Sequence, residues 1–156
     1  WHMIGHLQRN KAGLAVELFD RVHSVDSLRL LETLDRAAAE AGKILPVLLE
    51  VNVSGEASKF GMPPSAGPEV LKAANDLSHV NVAGLMTMPP FTEEPEKARV
   101  HFRALCALRE RWRDETGYGL DELSMGMSHD FEVAIEEGAT WVRVGTAIFG
   151  EREAKP

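Results

Sequence analysis

The segment Trp141-Val142-Arg143-Val144-Gly145-Thr146-Ala147-Ile148-Phe149-Gly150 reads as a strand, a Gly-Thr turn and a short helix. Alternation along the strand sends Val142 and Val144 to one face and Trp141 and Arg143 to the other. The turn sets the backbone N–H groups of Gly145, Thr146 and Ala147 at a helix N-terminus, where they lack intrahelical partners and favour an anion. Glycine at 145 lets the backbone come close to whatever it binds. Just upstream, Leu123-Ser124-Met125-Gly126-Met127-Ser128-His129-Asp130 follows the same plan: it leaves a strand, turns at Gly126 and enters a helix capped near Ser128 or Asp130. Two successive strand-end loops of this kind match the phosphate site of a (β/α)8 barrel, built after strands seven and eight beside a short extra helix.

Outward from these loops the chain alternates strand-like and helix-like stretches. Strands are expected over 2–5, 22–25, 46–53, 80–86, 122–124 and 141–144. Helices are expected over 11–19, 27–41, 68–77, 94–116 and 130–137, with a final turn over 146–149. The second helix has Ser27 as its cap, Leu28, Leu31, Leu34 and Ala38 at helical spacing, and Gly42 as its stop. Regular alternation implies parallel strands joined by right-handed crossovers, hence one α/β domain over 1–156. Six strands fit an open doubly wound sheet or a barrel, and the two loops favour the barrel.

Composition narrows the function. The 156 residues carry 17 basic and 24 acidic side chains, for a formal net charge of −7. That balance argues against nucleic acid or an anionic membrane as partner, since both need a basic face. No apolar run approaches the ~20 residues of a membrane span. A single cysteine, Cys106, excludes an internal disulfide and fits a cytoplasmic protein. The chain opens Trp1-His2-Met3-Ile4, without an initiator methionine and inside a strand-like stretch. It is therefore expected to be a piece of a longer sequence, or one from which an upstream segment was removed.

Arg143 needs an acceptor wherever it points, because a guanidinium stays charged when buried. A bound ligand or a carboxylate such as Glu50 could supply it. Asn52, closing an apolar strand, is a candidate cofactor contact or a structural residue. His6, Gln8 and Asn10 follow the first strand and could rim a pocket. His2 and His6 are four apart but straddle a strand end, and no Cys/His/Asp cluster completes a metal site.

Several segments in order, WHMIGHLQRNK at 1–11, NVSGEASKFG at 52–61, GLM at 84–86, LSMGMSHD at 123–130 and VRVGTAIFG at 142–150, resemble the YggS/PROSC family of pyridoxal 5′-phosphate (PLP) homeostasis proteins along the whole chain. The resemblance implies a (β/α)8 TIM-type barrel of the alanine racemase N-terminal-domain type, here missing about the first two βα units. It implies that Ser124, Gly145 and Thr146 hold the PLP phosphate, with Ser128 as a further candidate, and that Arg143 faces the pyridine nitrogen. It also implies a Schiff-base lysine on a strand that precedes the stretch seen here. Lys11, Lys43, Lys59, Lys72, Lys97 and Lys155 do not match it. An upstream segment of the same protein, or a second chain, is then expected to complete the barrel.

These readings converge on a cytoplasmic PLP-binding protein of homeostasis or carriage, without strong catalytic activity. The alternative is a small phosphate-handling barrel enzyme of racemase, aldolase or isomerase type. That alternative requires an inward lysine or paired carboxylates at strand ends.

Overall fold

The computed structural model describes residues 1–150. Six strands, β1 (His2–Met3), β2 (Arg21–Val25), β3 (Leu45–Glu50), β4 (Val80–Met86), β5 (Glu122–Met127) and β6 (Trp141–Arg143), form one sheet in the order β1-β2-β3-β4-β5-β6. Every neighbouring pair is parallel. The strands are joined through α1 (Ala12–Leu18), α2 (Leu28–Glu40), α3 (Gly67–Ala74), α4 (Arg99–Thr116) and α5 (Phe131–Glu136), and α6 (Thr146–Phe149) follows β6. A doubly wound sheet must reverse its strand order partway, and this one never does. It is an α/β fold with a six-stranded parallel half-barrel.

The sheet is curled. Side chains of β1 and β2 touch those of β5 and β6 across the concave face: the His2 and Trp141 rings lie 5.0 Å apart, and Arg21 pairs with Glu122. Strand alternation sorts two unlike layers. Val22, Leu45, Val47, Leu49, Leu85, Leu123 and Met125 join Leu31, Leu34, Phe102 and Leu105 in the core between sheet and helices. The opposite set, His2, Arg21, His23, Leu48, Glu50, Met86, Ser124, Trp141 and Arg143, faces the concavity and is mostly polar. Gly84 lets β4 approach β5 there, since a Cβ would stand 1.9 Å from the Glu122 carbonyl oxygen.

The expected elements are present with shifted ends. Ser27 caps α2 through its hydroxyl, which accepts from the Leu30 amide, and Gly42 closes the helix in a left-handed conformation at φ 65°. The third strand stops at Glu50, because Val51 turns away to bridge Met62. A 3-10 turn over Pro95–Ala98 precedes α4, where proline fits a helix start. The fifth strand runs past Ser124 to Met127, because Gly126 bends within the strand at φ 89° rather than ending it. No helix among the described residues is long and apolar enough to cross a membrane. Lys155 lies outside the described residues.

Candidate functional site at the mouth of the half-barrel

The site is built where β6 ends. Trp141 and Arg143 project into the concavity, and Gly145 then turns the chain into α6. The Ser128 hydroxyl, from the end of β5, accepts from the Gly145 amide at 2.9 Å and the Ala147 amide at 3.3 Å. Ser128 therefore caps α6, while the Asp130 carboxylate accepts from the Met127 amide at 2.7 Å instead of capping α5. At four residues α6 has little dipole; its value to an anion lies in its first N–H groups, of which those of Gly145 and Ala147 donate to Ser128. A Cβ placed on Gly145 would meet no atom within 4 Å, so the space on that side of the turn is open.

Arg143 is held from below. One terminal nitrogen donates to Ser124 Oγ at 2.8 Å and the other to the Thr87 carbonyl at 2.9 Å. Its Nε is buried and has no partner. Burial lowers its pKa to about 10, with Asp130 and Glu50 acting in the opposite direction, so the guanidinium stays charged at neutral pH. Glu50 is also buried on the concave face, with Oε2 unpartnered. Burial, reinforced by Asp26 and opposed by Arg143, pushes its pKa up to about 7. The two groups influence each other without forming an ion pair within 4.0 Å. A cavity of about 340 Å³ is lined by His2, Ile4, His23, Trp141 and residues 142–145, Arg143 among them.

The other candidates fall into separate places. Ser124 is fully buried between Arg143 and His23 and sits opposite Trp141 in register. That register puts it about 13 Å below Gly145 along the strands. The structure thus groups Gly145, Thr146 and Ser128 at the mouth, and Ser124 with Arg143 beneath them. Asn52 closes the loop that follows β3: its amide nitrogen donates to the Glu56 and Lys59 carbonyls, and its oxygen accepts from Ser54 and Gly55. His6 stacks on Phe60 at 4.1 Å and lies 3.4 Å from Asp26. Gln8 and Asn10 line a wider cavity of about 870 Å³ with Arg9, Arg29 and Arg36, on the outer side against α2. That cavity is a solvated arginine face. Lys11, Lys43, Lys59, Lys72 and Lys97 all lie outside the strands, and none is buried. No group of three metal-ligating side chains occurs among the described residues.

His23 carries no motif of its own and was not a sequence candidate. Its ring meets Ser124, 101 residues away, only because the sheet curls. The one signal was positional: a histidine at the alternate position to Val22 in a strand otherwise fit for burial.

Comparison with known proteins places these features in a family. Residues 1–153 match the family described as alanine racemase, N-terminal domain. The chain is 46% identical over 153 residues to the pyridoxal phosphate homeostasis protein of Aquifex aeolicus, covering 98% of this chain and 67% of that protein. It is 47% identical over 153 residues to the protein of the same name from Pseudomonas aeruginosa, covering 98% of this chain and 65% of that one. The chain thus spans about two thirds of the length of the curated relatives it matches. The structure of PipY from Synechococcus elongatus with PLP bound superposes with a TM-score of 0.89 at 39% identity, over 96% of this chain and 70% of that one. Alanine racemase of Clostridium difficile shares the fold, with a TM-score of 0.76 at 14% identity over 96% of this chain and 41% of that one.

Proposed function

Because the chain belongs to the pyridoxal phosphate homeostasis proteins, within the alanine racemase N-terminal-domain family, we propose that it binds PLP and serves in PLP homeostasis or carriage rather than in strong catalysis. The observation that carries this reading is a pair of complementary features at the end of β6. The Gly145 and Ala147 amides converge on Ser128 Oγ, and a buried arginine with an unpartnered Nε precedes them by two residues.

In this reading the phosphate takes the backbone donors around Gly145, with the Thr146 and Ser128 hydroxyls turned toward it. Ser128 already stands where two of those amides point, so its oxygen gives way to a phosphate oxygen and its O–H becomes a donor. Arg143 faces the pyridine nitrogen. PLP, when bound, supplies an electron-withdrawing ring and an aldehyde. A guanidinium has only protons to offer, so Arg143 favours the unprotonated ring nitrogen and restrains that electron-withdrawing power. Ser124 acts from beneath by holding Arg143, and Asn52 by shaping the loop after β3. The unpaired Cys106 fits the cytoplasm.

We further propose that this half-barrel is part of a closed (β/α)8 barrel. Among the described residues the outer edges of β1 and β6 have no partner strand, and Trp1, Ile4, Ile148 and Phe149 are exposed beside them. Closure removes such edges. An upstream segment of the same polypeptide, or a second chain, supplies the pairing strands. Intact mass spectrometry with light scattering checks this. Extra mass or a stable complex is expected, and a monodisperse 17.2 kDa monomer that melts cooperatively and ignores dyes for apolar surface contradicts it.

Titration with PLP, followed by borohydride reduction and mass spectrometry, tests the binding itself. The expected result is a saturable absorbance change at one site, with no stoichiometric adduct on Lys11 or Lys59. An adduct on either lysine that Arg143→Ala abolishes, or no saturable change at all, overturns the assignment.

A further inference from the structure

Below Arg143 the concave face carries a hydrogen-bond chain that the binding of PLP leaves unexplained. Arg143 donates to Ser124 Oγ at 2.8 Å, Ser124 Oγ lies 2.9 Å from His23 Nδ1, and His23 Nε2 lies 3.1 Å from His2 Nδ1. His23 and Ser124 are buried, while His2 opens to solvent.

The direction of this chain is fixed by chemistry. A guanidinium has no acceptor, so the Ser124 oxygen must accept from Arg143. The Ser124 hydroxyl proton then needs an acceptor of its own, and His23 Nδ1 is the one within reach. His23 must therefore be neutral with its proton on Nε2, which donates to His2 Nδ1. With the histidine links reversed, Ser124 Oγ would accept from both Arg143 and His23, and its own buried O–H would be left without an acceptor, which costs the desolvation of that group. Beside His23 stands His2 on the neighbouring β1, across the concavity Arg143 on β6, and on its own strand Arg21; Arg21 is engaged by Glu122 of β5, which also accepts from Trp141 Nε1. Burial first, then the repulsion that a second charge on His2 and the charges of Arg143 and Arg21 would bring, lowers the His23 pKa to about 4, which agrees with the neutral form the geometry favours.

We propose that His23 is a positioning residue that fixes the tautomer and direction of this chain, and through Ser124 aims Arg143 at the ligand ring. The proposal rests on the reading in which Arg143 faces PLP, but its first consequence belongs to the protein alone. Histidine ring nitrogens in 15N-labelled protein report protonation site directly. Between pH 6 and pH 8, His23 should show an unprotonated Nδ1 and a protonated Nε2. An Nδ1–H tautomer, or a cationic ring in that range, overturns the proposal whatever PLP does. The second readout is the Arg143 Nε–H resonance in two variants. His23→Leu removes the acceptor, and the resonance should shift and exchange faster. His23→Asn places Oδ1 close to where Nδ1 stood, and should restore it. Equal behaviour of wild type, Leu and Asn variants overturns the positioning role. PLP affinity in the same samples should fall about five-fold in His23→Leu, the worth of one hydrogen bond, and recover in His23→Asn. A wild type that binds no PLP while showing the expected tautomer and Arg143 response refutes the PLP reading and leaves this one standing.

Discussion

Replacing Gly145 by valine is expected to leave the protein folded and to lower its affinity for PLP by on the order of a hundred-fold, the worth of two charge-assisted hydrogen bonds. The two effects separate because of where the side chain goes. The backbone at Gly145, at φ −119° and ψ −76°, is outside the left-handed region that glycine alone favours. An added Cβ meets no protein atom within 4 Å, so nothing in the fold must move. The same Cβ and its methyl groups fill the space that a phosphate needs to reach the 145–147 amides. Thr146→Ala, in contrast, removes one hydroxyl and should cost about 1 kcal/mol. Fluorescence titration with parallel thermal melts measures both. Equal losses for the two variants would mean that side chains, not backbone donors, hold the ligand.

Glu50→Gln is expected to stabilise the protein at pH 8 and to change little at pH 4.5. Glu50 is 2% exposed, has one oxygen without a partner, and its pKa is pushed up to about 7, first by burial and then by Asp26. An unfolded glutamate titrates near its ordinary value of 4.5. A folded pKa above the unfolded one means that the native state holds its proton more tightly. The contribution is fully present below the unfolded value and is lost as pH rises through about 7. Wild type should therefore lose up to roughly 3 kcal/mol between pH 4.5 and pH 8 that the glutamine variant keeps. Urea denaturation at both pH values checks this. A wild-type-to-variant difference that does not change with pH contradicts the burial of an unpaired carboxyl at this position.

Much of the fold was legible because it rests on local rules. The strand Val80–Met86 was expected with those limits, and the Ser27 cap and Gly42 stop of α2 act through neighbours in sequence. Errors came where a local signal had two outcomes. Gly126 was read as ending its strand, but a positive φ inside a curled strand uses the same residue. The strand after Lys43 was extended to 53, because the apolar run continues through Val51, which still bonds Met86, to Val53 beyond the end of β3.

The site was legible in its loops and obscure in its interior. Sequence pointed to the 145–147 amides and to Ser128, since a turn and its donors are contiguous. It also sent Arg143 inward by alternation, and raised Glu50 as its possible ion-pair partner. It could not foresee that the neutral Ser124 hydroxyl and Thr87 carbonyl would accept from Arg143 instead, or that His23 would reach Ser124. Those contacts join β2, β4, β5 and β6 across the concave face and depend on how tightly the sheet curls. Asn52 shows the converse. Its side chain is fully used by Ser54, Gly55, Glu56 and Lys59, neighbours within seven residues, in a loop whose shape its sequence alone did not disclose.

The most direct test of the account is a crystal structure of the protein grown or soaked with PLP. The account predicts the phosphate within hydrogen-bond reach of the Gly145–Ala147 amides and the Ser128 hydroxyl, with the pyridine nitrogen toward Arg143. A phosphate seated elsewhere, for example among Arg9, Arg29 and Arg36 on the outer face, would contradict it.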